Sequence, residues 1–167
     1  MFEQFSERAR QVVYLARMYA GKTGAPDIDL AHLVEALVRE DQGEFRNIVS
    51  REIDSLPQTP SSFVSVGLRR YRPFFSSEAA AKILLRLDQL FTNAQAIPHS
   101  ADMPVSAALG RTFAAATALR VELNQEQVEP LHLLAAVLSE ESSQACDVVK
   151  RVGISRDAVI TSIQTGS

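Results

Sequence analysis

A chain of 167 residues that is 46% hydrophobic can bury a core as one compact domain or two small ones, and is too apolar to be disordered as a whole. Its 17 Lys and Arg stand against 20 Asp and Glu, a net charge of −3, so no global positive field draws it toward phosphates or anionic lipid, and neither nucleic acid nor a membrane is an expected partner. The single cysteine, Cys146, excludes an internal disulfide and a multi-cysteine zinc site, and no apolar run approaches the roughly 18 residues of a membrane helix.

At the N-terminus, Glu3, Glu7, Arg8 and Arg10 interrupt the apolar stretch that a signal peptide requires, so a soluble cytoplasmic protein is expected. Phe5, Ala9, Val12, Val13, Ala16 and Ala20 recur at three- and four-residue steps, the spacing of one helix face, with Ser6 as N-cap. Gly21, Gly24 and Pro26 stop that helix. Asp29 caps a second, which carries Leu30, Leu33, Ala36 and Leu37 on one stripe. A short third helix is expected from about 44 to 52, with Phe45, Ile48 and Val49 inward. "LPQTPSSFVSVGLRRYRPFFSS" then has the Pro, Ser and Gly of a loop. In "SEAAAKILLRLDQLFTNAQA" the stripe Ala80, Ile83, Leu84, Leu87, Leu90 and Phe91 predicts an extra helix.

Near Val105 the pattern begins again, at an offset of 100 residues. Ser106, Leu109, Phe113, Ala116 and Arg120 stand opposite Ser6, Ala9, Val13, Ala16 and Ala20. Val128 and Glu129 answer Ile28 and Asp29, and His132, Leu133, Ala136 and Glu140 repeat His32, Leu33, Ala36 and Glu40. Such self-similarity without a gap signals duplication of a helical unit, two copies of which pack on each other because neither buries its apolar face alone. Pro130 suits a first helical turn, Gly153 closes one helix of the second copy and Ser155 caps its last. No period-two segment supports a sheet. The chain is therefore expected to be all-α, with repeat one at about 2–56, an insert with an extra helix at about 57–100, and repeat two at about 101–164.

The stretches "FSERARQVVYLARMYA" and "VEPLHLLAAVL", each inside a repeat with an Ile or Val before a His-Leu helix, resemble the N-terminal repeat domain of Clp-type AAA+ unfoldases. "SADMPVS" is similar to the entry to the second repeat in short, stand-alone bacterial members. The resemblance covers about 2–52 and 100–164. It implies two four-helix repeats related by a pseudo-twofold axis, and a non-enzymatic domain that binds adaptors, unfolded substrates or regulators for an ATP-driven unfolding ring. No ring-forming module follows the second repeat in this sequence, so the expected role is an adaptor or modulator whose partner is a Clp ATPase or its substrates and adaptors. The other class left open is a small-ligand or nucleic-acid-binding regulatory domain unconnected with proteolysis. The resemblance leaves the partner's identity and the oligomeric state open.

Several residues carry a choice of chemistry. "GKT", Gly21 to Thr23, is the tail of a phosphate-loop signature, but the required glycine five residues earlier is Ala16 and a helix leads into it, so it is read as a helix end. No cofactor or metal is expected. His32 and His132 lack the three or four ligands of a zinc site, and neither has the oriented partner of a general base. Their equivalent places, together with Leu33 and Leu133, mark a structural motif, each imidazole bonded to backbone or to a hydroxyl such as Ser6 or Ser106. Arg69, Arg70, Tyr71, Arg72, Phe74 and Phe75 combine arginine with aromatic rings, the side chains enriched at protein interfaces, and are the candidate protein-binding residues. Many relatives carry Thr-Glu-His before the apolar helix, and in some that Glu belongs to a pocket for phosphorylated arginine. Leu30-Ala31-His32 and Pro130-Leu131-His132 lack the carboxylate, so that ligand is not expected.

Overall fold

The structure, a computed structural model, describes residues 2–44, 72–91, 94–98 and 102–166. Among them it has seven α-helices and no strand: α1 (Glu7–Lys22), α2 (Leu30–Asp41), α3 (Ser77–Leu90), α4 (Ala107–Glu122), α5 (Pro130–Val137), α6 (Gln144–Arg151) and α7 (Arg156–Thr165). The all-α double repeat expected from the sequence is what the chain adopts. The helix expected at about 44–52 lies outside the described residues, as do Arg69, Arg70 and Tyr71.

Local chemistry sets the helix starts. Ser6, Ser76, Ser106 and Ser155 each accept the backbone N–H three residues on, satisfying a donor that the first turn cannot pair internally. Pro130 occupies the first turn of α5, where no N–H is needed. Gly24 and Gly153 follow their helices with φ of +69° and +88°, the left-handed conformation that glycine adopts without penalty. α3 is shorter than its stripe suggested: it ends at Leu90, and Phe91 is already extended, with φ −82° and ψ 131°.

α1 packs along α2, α4 along α5, and α3 covers α2 much as α7 covers α5. α2 and α5 meet in the middle and are buried nearly all round, as helices enclosed by others must be. Leu33, Val34, Val38, Leu133, Ala135 and Val137 are fully enclosed there. Ile83 and Leu87 of α3 join the same core at 0% exposure, so α3 is an integral part of it.

Two isolated parallel bridges join the repeats, Phe5 with Val128 and Ile28 with Val105. Shifting either pair by 100 residues generates the other, so the bridges exchange under the pseudo-twofold. Ser6 N–H donates to Val128 O at 3.0 Å and Val128 N–H to Gln4 O at 2.8 Å; their counterparts are Ser106 N–H to Ile28 O and Ile28 N–H to Pro104 O, both 2.9 Å.

At one point the symmetry is broken. After α3 the chain runs back across the end of α1, where Ala94 N–H donates to Thr23 O at 3.1 Å and Ile97 N–H to Gly21 O at 2.8 Å. A Cβ on Gly21 would stand 2.9 Å from Ile97 O, and one on Gly24 only 2.4 Å from Gln95 O. The "GKTG" stretch is thus a bare backbone shelf on which a second backbone lies. In repeat two the corresponding residue is Val121, which is 60% exposed.

Candidate protein-binding site between the repeats

Each second helix of a repeat opens with a capping box in which histidine stands at the third helical position. Asp29 N–H donates to His32 Nδ1 at 3.0 Å, and Glu129 N–H to His132 Nδ1 at 2.9 Å. Nδ1 is therefore the acceptor and the proton of the neutral ring sits on Nε2. His32 Nε2 lies 3.5 Å from Thr23 Oγ1, and its ring stacks on Phe91 with centroids 5.0 Å apart and planes inclined by 9°. In repeat two Leu123 replaces that threonine, and among the described residues His132 Nε2 has no partner.

Of the two partners expected for each imidazole, backbone or a hydroxyl such as Ser6 or Ser106, it is the backbone that bonds it. Ser6 Oγ donates to Glu129 Oε2 at 2.8 Å and Ser106 Oγ to Asp29 Oδ1 at 2.7 Å, each reaching the N-cap of the other repeat. The serines face the acids because the backbone bridges bring the start of one repeat's first helix against the start of the other's second. Burial pushes the pKa of both imidazoles down; Asp29 and Asp27 act against it at His32, Glu129 acts against it at His132, and Arg120 adds to it there.

A cleft of about 820 Å³ opens beside this joint. One wall is Arg8 of α1 with Leu37, Glu40 and Asp41 of α2; the opposite wall is Pro130, Leu131, His132 and Leu134 of α5, with Ser162 and Ile163 of α7. Arg72, Pro73, Phe74 and Phe75, just before α3, line it too. Its walls are mostly apolar, with a few fixed polar groups, the composition of a ligand-binding cleft.

Those polar groups are held in place. Glu40, 3% exposed, receives Arg8 in a two-pronged pair, Nε at 2.8 Å and Nη2 at 2.9 Å. Asp41, also buried, accepts Phe74 N–H at 2.8 Å and Phe75 N–H at 3.0 Å, pinning the turn that precedes α3. Phe75 is thereby driven into the core, Phe74 is half-buried against it in an edge-to-face contact, and Arg72 is exposed.

Of the residues singled out from the sequence, Arg72, Phe74, Phe75 and His132 meet around one cleft, whereas His32 lies against Thr23 and Phe91, and Leu33 and Leu133 are core. Arg8, Glu40, Asp41 and Ile163 were not foreseen there. Arg8 carried no local signal, because the acid it pairs with lies 32 residues away. Cys146 is buried and donates to Leu138 O at 3.6 Å, and burial pushes its thiol pKa up. Among the described residues no cluster of three or more His, Cys, Asp or Glu has the arrangement of a metal site, and no helix is long and apolar enough to cross a membrane.

Two consecutive segments, residues 4–103 and 104–166, match the model of the Clp repeat (R) N-terminal domain. The chain belongs to this family. Over 160 residues, 94% of its length, it is 27% identical to the chaperone protein ClpB of Nitratidesulfovibrio vulgaris, of which it spans 16%. The fold is similar to that of the N-terminal domain of the caseinolytic protease associated chaperone ClpD from Arabidopsis thaliana, with a TM-score of 0.62, 20% identity and coverage of 99% of this chain and 96% of that one. The Hsp104 N-terminal domain from Candida albicans is similar at a TM-score of 0.61 and 18% identity, over 95% of this chain and 88% of that one. Within this Clp repeat pair the histidine of each "His-Leu" motif is a capping residue, which accounts for its recurrence.

Proposed function

We propose that the chain is a non-enzymatic protein-binding module that acts as an adaptor or modulator of a Clp AAA+ unfoldase or its protease. Membership of the Clp repeat family supports the reading, since in Clp unfoldases these domains bind substrates and adaptors. The observation that carries it is the mostly apolar cleft between the repeats, walled by Leu131, Ile163 and Phe74 and edged by Arg8 and Arg72. Arginine and aromatic side chains around an apolar centre are the composition of an interface hot spot. Arg72 and Phe74 are its contact residues in this proposal, with Phe75 holding their turn from the core; Arg69, Arg70 and Tyr71 of the same sequence cluster lie outside the described residues. Leu131 makes that part of the wall apolar, so the occupant in this proposal sets an apolar side chain of a polypeptide against it.

Affinity capture with the full chain as bait, from its native cell under ATP-trapping conditions, tests the role. Recovery of a Clp ATPase or its protease is the expected result, weakened by Leu131→Glu and by Phe74→Ala in folded protein. Repeated absence of every Clp component rejects the role.

A further inference from the structure

We infer that the joint between the two repeats is a proton-sensitive latch worked by His32 and His132, a property that stands apart from the identity of any partner. Each ring uses the lone pair of Nδ1 to accept the N–H of its N-cap residue, at 3.0 Å from Asp29 and 2.9 Å from Glu129. An imidazolium carries N–H on both nitrogens and has no acceptor left. Protonation therefore turns the bond into an opposition of two donors, where His32 is 4% exposed and His132 0%.

The residue that must give way is also the one that holds the other repeat. Asp29 and Glu129 take the Ser106 and Ser6 hydroxyls through their carboxylates. Ile28 and Val128, one residue earlier, carry all four backbone bonds of the two bridges. A shift of either N-cap amide therefore loosens a bridge and a carboxylate contact together.

The charged groups acting on His32 are Asp29 and Asp27 on the approach to α2; α1 offers the Thr23 hydroxyl, and the segment after α3 offers the Phe91 ring. On His132 act Glu129 of its own N-cap and Arg120 of α4, and Arg8, Glu40 and Asp41 of α1 and α2 line the same cleft opposite it. Burial dominates in both, so each folded pKa lies below the ordinary 6.5. A base whose folded value is lowered gives its full contribution above the unfolded value and loses it as the pH falls below. The latch is thus closed above about pH 6.5 and weakens below it.

Amide hydrogen exchange of the full chain, followed by NMR from pH 7 to pH 5 and corrected for intrinsic exchange, reads the latch directly. The amides of Ser6, Ile28, Ser106 and Val128 are expected to lose protection about fivefold over the first pH unit below 6.5, relative to Val12 and Leu37 inside α1 and α2. In His132→Gln the side-chain oxygen can accept the same N–H without titrating. That variant is expected to flatten the response of Ser6 and Val128 and leave Ile28 and Ser106 unchanged. Joint amides that track Val12 and Leu37 through the whole range in the unaltered chain overturn the inference, whether or not the variant folds. So does a response at Ser6 and Val128 that persists in folded His132→Gln.

Discussion

The Ser6 hydroxyl donates to Glu129 Oε2 at 2.8 Å while accepting Ala9 N–H at 3.1 Å, so one small side chain both starts α1 and ties it to a residue 123 positions away. Removing it loses an N-cap, worth about 1 kcal/mol, and a hydrogen bond to a carboxylate, worth about 1.5 kcal/mol or more. Ser6→Ala is expected to lower stability by about 2–3 kcal/mol in urea unfolding. Ser106→Ala, which breaks the 2.7 Å bond to Asp29, is expected to match it. The two losses should add, whereas Ser6→Ala and Glu129→Gln should be coupled by about 0.5 kcal/mol or more, because they share a contact.

Gly24 and Gly153 form a natural pair of controls. Both have positive φ, at which alanine is strained by about 1–2 kcal/mol. At Gly153 nothing lies within 4 Å of the added Cβ, but at Gly24 it meets Gln95 O at 2.4 Å. Gly24→Ala is expected to exceed Gly153→Ala by at least about 1 kcal/mol in the same unfolding assay, the excess being the displaced chain after α3. Equal losses would show that this chain does not press on α1.

Gly110 offers a stabilising change. It lies inside α4 on an exposed face, and an added Cβ meets nothing within 4 Å. Gly110→Ala is expected to gain about 0.5–1 kcal/mol, raising Tm by about 1–4 °C in calorimetry, since alanine loses less backbone freedom in a helix.

Asp41→Asn tests the cleft's third wall. The carboxylate accepts both Phe74 and Phe75 N–H groups, and an amide places a donor against one of them. A loss of about 1.5–3 kcal/mol is expected, with faster exchange of the Phe74 and Phe75 amides. α4, which does not line the cleft, should keep its protection. Partner capture should weaken as well, because Phe74 lines the cleft.

The helix starts were legible in the sequence because capping is local: Ser6, Ser106, Ser155 and Pro130 act on backbone groups no more than three residues away. The duplication was legible for the same reason, as a pattern of residue types at fixed offset. Histidine as the returning partner of a capping box was missed, although Asp29 and Glu129 each stand three residues before it, where Glu or Gln is the familiar choice. What joins the repeats was not legible, since Ser6 reaches Glu129 only after two bridges have closed. The end of α3 was missed because the apolar stripe continues to Phe91, while its helix stops where that ring finds His32. The cleft depends on Arg8 meeting Glu40 and on Asp41 seizing a turn 33 residues away, pairings that no period or motif encodes.

Two like copies about a twofold axis would offer any visitor two equivalent landing places and hence a two-to-one stoichiometry. Gly21 and Val121 remove that choice. Ile97 lies across the glycine of one copy, whereas the valine of the other projects into solvent. The molecule consequently has a front and a back despite its doubled ancestry, the two copies presenting different surfaces at the ends of their first helices.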